Sequence, residues 1–167
     1  MGDAGSGVGI RPFGPDDQPG VARLWSLYAA EFRESLGPQD LEREGRRIPL
    51  DYRLPDAAMW VAVQEGTVVG CAAWKRFDGS SCELKRMVVD SALRGQGVGR
   101  RLAQAVLHDI AWRGFVRVLL DTTPEMVAAQ ELYRRLGFRE VPAYHAGPLR
   151  HPVFMALDVS AAPLRDH

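Results

Sequence analysis

Charge of one sign is not in excess: Lys plus Arg and Asp plus Glu number 21 each in 167 residues. No global field therefore draws the chain to nucleic acid or to an anionic membrane, and any positive site must be local. Cysteine is scarce. On a hairpin turning at Asp78-Gly79, Cys71 falls near Arg86 and Cys82 near Lys75, which sets the two sulfurs too far apart for a disulfide. Reduced thiols suit a cytosolic protein, so a cytoplasmic location is expected. Long apolar runs are missing too, none approaching the roughly 20 residues that a membrane span needs. The opening MGDAGSGVG lacks a basic segment followed by an apolar one, so it reads as a flexible tail over residues 1–7 rather than a secretory signal. The four histidines, His108, His145, His151 and His167, keep no ligand spacing with one another or with the cysteines, and no metal is expected.

What is present suffices for one core. Hydrophobic residues make up 46%, and without repeats, low-complexity tracts or an interdomain linker, residues 8–167 read as a single domain. Val8 to Arg11, ended by Pro12, reads as an edge strand. Asp16 or Asp17 can cap a helix with Pro19 in its first turn. Val21, Leu24, Trp25, Tyr28 and Phe32 then trace one helical face, a core stripe stopped by Gly37-Pro38. Residues 39–47 read as a charged, poorly packed helix whose run Glu42-Arg43-Glu44 with Arg46-Arg47 is a solvated face. An irregular stretch from Ile48 to Pro55 follows.

Met59 to Gln64, Val68 to Phe77 and Ser81 to Val89 read as an antiparallel meander, with turns at Glu65-Gly66 and Asp78-Gly79. Val98, Leu102, Ala105, Val106 and Ile110 make a helical stripe closed by Gly114. Phe115 to Leu120 is a strand buried on both faces. Ala129, Leu132, Tyr133 and Leu136 mark a last helix stopped by Gly137, and Phe138 to Val141 and Val153 to Val159 close the chain as strands. The fold class is mixed α/β with a partly antiparallel sheet.

The most informative segment is Arg94-Gly95-Gln96-Gly97-Val98-Gly99-Arg100, between a strand and an amphipathic helix. Glycines allow close backbone approach, and free N–H groups at a helix start favour phosphate oxygens. The same residues also suit a plain tight turn. A nucleoside-triphosphate loop would end in Gly-Lys-Ser/Thr, but Gly99 is followed by Arg100-Arg101. A dinucleotide loop would place a small residue where Arg100 stands, and would follow its strand without the Asp90-Ser91-Ala92-Leu93 spacer. Coenzyme A remains.

The segment resembles the GNAT superfamily of N-acetyltransferases, whose R/Q-x-x-G-x-G/A pattern is matched by Arg94, Gly97 and Gly99. ELKRMVVDSALRGQGVGRRL is similar to that family's central strand, pyrophosphate loop and helix. DTTPEMVAAQELYRRLGF resembles its next strand–helix unit with the L-Y-x-x-x-G-F ending. RIPLDYRLP, VVGCAAW and VPAYHAGPLRHPVFMALDV look like a poorly characterised bacterial branch, and the resemblance runs over roughly residues 8–159. It implies a central splayed sheet of about seven strands with about four helices, and acetyl-CoA as cosubstrate. In this likeness Met87, Val88 and Val89 bulge away from the Phe115 strand and pair with the pantetheine arm, a Val88 or Val89 N–H polarising the carbonyl. Arg94 and the amides of Gly95, Gln96, Gly97, Val98, Gly99 and Arg100 take the pyrophosphate.

By the same resemblance Tyr133 protonates the departing thiolate, though on its apolar face it also reads as core. Glu83, six residues before Val89, corresponds to a general-base glutamate; it equally reads as a solvated charge beside a turn, with Lys85 and Arg86 near enough to pair with it. Two departures stand out. Met126 replaces an asparagine that contacts the cofactor, leaving Thr122 and Thr123 to supply hydroxyls. Tyr144-His145-Ala146-Gly147-Pro148 replaces the branch's Y-Y-E-N-P, where the acceptor docks; His145 there reads either as a site residue or as a solvated loop histidine. The expected activity is acetyl transfer to a primary amine of a small molecule, amino acid or peptide, without nucleic-acid or membrane partners and with a homodimer left open. The alternative is a non-catalytic acyl-CoA sensor of the same fold.

Overall fold

The computed structural model describes residues 7–36 and 40–160. The expected tail falls outside them except for Gly7, as does the Gly37-Pro38 stop. Seven strands form one sheet: β1 (Val8–Pro12), β2 (Ala57–Gln64), β3 (Thr67–Arg76), β4 (Ser81–Val89), β5 (Arg117–Thr122), β6 (Arg139–Val141) and β7 (Val153–Asp158). Their order is β1-β2-β3-β4-β5-β7-β6. Every neighbouring pair is antiparallel except β4 and β5. Two-residue turns with positive φ at Glu65 and Gly66 explain the β2–β3 hairpin.

Helices cover both faces. Between β1 and β2 the chain makes α1 (Gln18–Glu31), α2 (Arg33–Leu36), α3 (Leu41–Arg46) and α4 (Ile48–Asp51); α5 (Val98–Trp112) and α6 (Val127–Arg135) come later. Six α-helices thus stand among the described residues where about four helices were expected, because the stretch after α1 breaks into short turns. On one face Val21, Leu24, Trp25, Leu41 and Ile48 bury against Val61, Cys71, Ala73 and Val88. On the other, Val98, Leu102, Val106 and Ile110 of α5 bury against Ala62, Ala72, Trp74, Leu84 and Val118. Each such buried side chain contributes about 1.5–3 kcal/mol, so the sheet is clamped from both sides. Ala105 stays only half-buried, and Leu107 takes the extra core position.

Three local expectations change. Asp17 holds the N-cap position of α1 but gives its helix no side-chain cap. Its carboxylate instead takes two bonds from Arg11, at 2.7 and 2.9 Å, and one from the Gly14 N–H at 2.8 Å. The β3–β4 register puts Cys82 opposite Arg76 and Cys71 opposite Val88, one residue off at the hairpin and one more at a bulge between Cys71 and Ala73. Both thiols are free and buried, and burial pushes Cys71 up to about 11 and Cys82 up to about 12. They are packing residues, not nucleophiles. Finally, the charged run around α3 is not all solvated: Glu44 turns inward onto Arg86.

Candidate active site

The parallel β4–β5 ladder covers three pairs, Ser81 with Arg117, Cys82 with Val118 and Glu83 with Leu119. Beyond Glu83 the strands part, leaving one side of the rest of β4 open, as the expected splay requires. The bulge lies in this stretch, and Arg86 there adopts φ 55°. Past the bulge the Asp90 N–H donates to Val69 O on β3 at 2.8 Å. Successive strand residues turn their backbone groups to opposite sides, so the Val89 N–H and C=O face the gap. Arg94 Nε, 3.3 Å from Val89 O, reaches it from that side. Of the two valines, Val88 therefore faces β3 with its N–H and Val89 faces the gap.

The gap opens into a cleft of about 1020 Å³. Its walls include Met87, Val88, Val89, Arg94, Gly95, Gly97, Gly99 and Arg100, and also Glu83, Thr122 and Tyr133. Gln96 and Val98 do not join them. Gln96 turns its amide onto Ala92 O at 3.2 Å, and Val98 is a core residue, 1% exposed.

Gly95 and Gly97 take φ 79° and 83° with nothing within 4 Å of where a Cβ would stand. Their identity answers to backbone conformation, not to crowding. Gly97 caps α5, and the first bond into the helix runs from Arg101 N–H to Gly97 O at 3.1 Å. The N–H groups just before it, at Val98, Gly99 and Arg100, have no intrahelical acceptor and are those a phosphate would use. Arg94 lies beside them, held by Glu31 at 2.7 Å and 5.9 Å from the Phe32 ring.

Tyr28 and Phe32, expected in the core, pack against its α1-side cluster and line the cleft as well. The Tyr28 hydroxyl donates to Met126 Sδ at 3.3 Å, and Thr122 Oγ1 to the same sulfur at 3.4 Å. Met126 thus occupies the expected asparagine's place as an acceptor. Thr123 supplies no hydroxyl to the cleft: alternation along the strand turns it into the core, fully buried and with Oγ1 unpartnered. Tyr133 packs its ring on Phe138, centroids 5.7 Å apart, so it belongs to the core and borders the cleft at once. Burial, then the nearby Tyr28 and Asp121, raises its phenol well above the ordinary value.

Glu83 does not pair with Lys85 or Arg86. Arg86 bonds Glu44 through Nε at 2.9 Å, and Tyr52 OH donates to the same carboxylate at 2.6 Å. Glu83 instead meets the loop after β6: Tyr144 OH donates to its Oε2 at 3.0 Å. His145 Nε2 lies 3.8 Å from Glu83 Oε2 and 2.8 Å from Asp121 Oδ2. Gly147 makes room for that imidazole, since a Cβ there would stand 2.8 Å from His145 Cε1. Glu83, Asp121 and His145 offer donor atoms within 4.8 Å of one another, the types a divalent cation uses. The bonds they make to one another and to Tyr144 account for their convergence. Histidine spacing alone could not reveal this trio, whose members come from β4, β5 and a distant loop.

The model of the acetyltransferase (GNAT) family matches residues 21–138. An uncharacterised N-acetyltransferase of Schizosaccharomyces pombe is 31% identical over 148 residues, covering 87% of this chain and 91% of that protein. Human N-acetylaspartate synthetase is 38% identical over 109 residues, 65% of this chain and 34% of its own length, so the chain spans about a third of that relative. The crystal structure of a GNAT-family acetyltransferase from Staphylococcus aureus Mu50 superposes with a TM-score of 0.80 at 21% identity, covering 92% of this chain and 99% of the other. That likeness speaks to the fold alone.

Proposed function

This chain belongs to the GNAT acetyltransferase family, and from that premise we propose that it moves the acetyl group of acetyl-CoA directly onto a primary amine of a small molecule, amino acid or peptide. The observation that carries the reading is the splay past Glu83, which ends at the glycine turn and has Tyr133 on its opposite wall. The open edge at Met87 and Val89 suits the amide-bearing pantetheine arm, and the N–H groups of Gly95 and of Val98 to Arg100 suit the pyrophosphate. Arg94 adds charge by exchanging Glu31 for phosphate oxygens. Thr122 stands at the pantetheine end.

The amine nitrogen attacks the thioester carbonyl carbon, forming the C–N bond, and the C–S bond then breaks. The Val89 N–H, turned to the gap, supports the charge on the carbonyl oxygen. Glu83 takes the proton from the amine. Tyr133 gives its proton to the departing thiolate, burial having kept the phenol protonated until then.

Release of free coenzyme A thiol in the presence of a panel of amines tests the reading. Tyr133→Phe keeps the ring packed on Phe138 and removes one hydroxyl. It should lower kcat by about 10²–10⁴-fold with acetyl-CoA affinity within a few-fold. Normal turnover in that variant would make Tyr133 a packing residue. Tight acetyl-CoA binding with no thiol released for any amine would favour a sensor and overturn the proposal.

A further inference from the structure

Resting on that reading, we propose that the acceptor is a free amino acid, held as a zwitterion along β4 with its ammonium at Glu83 and its carboxylate at Lys85. Cys82 and Leu84 point into the α5-side core, so Glu83 and Lys85 point to the other face of the sheet. The cross-strand register agrees. Lys85 stands opposite Ala73, a member of the α1-side core, and Glu83 opposite Lys75, whose Nζ sits 4.4 Å from the Tyr52 ring centroid after α4. Both residues line the cleft.

Two residues along a strand span about 6.6 Å. In an α-amino acid the nitrogen and the carboxylate carbon are about 2.5 Å apart. A charged hydrogen bond of roughly 3 Å at each end extends the reach to about 8 Å. The backbone spacing and the reach are of the same order, and the flexible four-carbon stem of Lys85 takes up the difference.

The charges are sorted to match. Around Glu83, a second carboxylate, Asp121, flanks the single imidazole of His145. Tyr144, edge-on to Phe77 at 5.2 Å, fixes the Glu83 rotamer through its hydroxyl. Around Lys85 the sign reverses. Lys75 is near enough to repel Lys85 but is itself drawn to Glu44 and Asp51, and Glu44 is engaged by Arg86 and Tyr52. Among the described residues the Lys85 side chain has no hydrogen bond or ion pair. A carboxylate from the acceptor supplies the anion this end lacks. A simple alkylamine brings none, and a peptide N-terminus brings only a neutral carbonyl.

The test uses the full chain with acetyl-CoA and the free amino acids as acceptors, each effective one compared with its carboxamide and its decarboxylated amine. The amino acid should exceed its carboxamide in kcat/KM by about tenfold to a hundredfold, mostly through KM, as expected for one charged hydrogen bond. Lys85→Gln should shrink that ratio toward one, and Lys85→Arg should keep it. Acetyl-CoA affinity and melting temperature verify that each variant is folded. Carboxamides or decarboxylated amines acetylated as well as the amino acids would overturn this inference and leave amine acetylation standing. An unchanged ratio in a folded Lys85→Gln would overturn it too. No acetylation of any amine would remove both readings.

Discussion

Glu44→Ala tests how far the cleft depends on an ion pair reaching from α3 to the β4 bulge. Arg86 bonds the carboxylate through Nε and Nη2, and Tyr52 adds a third bond. The two charged side chains are only 17% and 21% exposed, so solvent screens them weakly. Removing one partner of such a pair costs about 3 kcal/mol, most of it the exposure of the other charge to a poorly solvating site. For a domain of this length each kcal/mol moves Tm by roughly 2–4 °C, which predicts a loss of roughly 6–12 °C by calorimetry. Glu44→Gln, which keeps an acceptor for Tyr52, should lose less. The pH dependence has a definite sign. Burial pulls the Glu44 carboxyl up, but the bonds from Arg86 and Tyr52 outweigh it and hold it below its ordinary 4.5. Its contribution is therefore present in full above that value and is lost as pH falls through the lower folded one. The gap between wild type and Glu44→Ala should narrow below pH 4.5. An unchanged Tm at neutral pH would show that the pair is no stronger than a surface contact and that the bulge holds itself.

Gly97→Val should weaken acetyl-CoA binding more than tenfold, measured by calorimetry, because φ 83° strains a branched residue by about 1–3 kcal/mol although space for it exists; unchanged affinity in a folded variant would reduce the loop to a turn. Gly70→Ala should destabilise by about 1–3 kcal/mol in urea unfolding, since its Cβ would stand 2.9 Å from Leu102 Cδ1 and 3.2 Å from Val88 O. No shift in the midpoint would mean that the β3–β4 seam yields more easily than its packing suggests.

The sheet was legible because its signals are local. The apolar runs Met59 to Gln64, Val68 to Phe77 and Ser81 to Val89, with the turns at Glu65-Gly66 and Asp78-Gly79, locate β2, β3 and β4 within two residues of their observed bounds. The stripes of α5 and α6 are equally local. The glycine turn along the cleft, to which we assign the pyrophosphate, was legible for the same reason, since one continuous segment carries it. On the other side Glu83 and His145 could be singled out, but not the partners they meet. Glu83 meets Tyr144 across 61 residues and Arg86 meets Glu44 across 42; no periodicity encodes either encounter. Tyr28 and Phe32 were legible as core but not as cleft wall, because an apolar stripe looks the same where it is fully covered and where one edge of it borders a cleft. Thr122 and Thr123 could have been separated by strand alternation, which turns one to the cleft and the other to the core.

The bulge in β4 joins these two halves. Ahead of it, Glu83 and Lys85 face the α1 side and Leu84 the α5 side; beyond it Val88 faces α1, while Met87 and Val89 pack toward α5. One extra residue has reversed the alternation. Lys85 and the next residue, Arg86, therefore end up on the same side, where Arg86 can reach Glu44 and Trp25. An unbroken strand would send one of them into the α5 core as an unpaired charge. The same extra residue adds local twist to β4 where β5 parts from it, opening the backbone at Val89. A single irregularity thus sets the exposed edge that suits the thioester beside the charges that suit its acceptor. Regularising β4 by deleting one residue at the bulge would disturb both together.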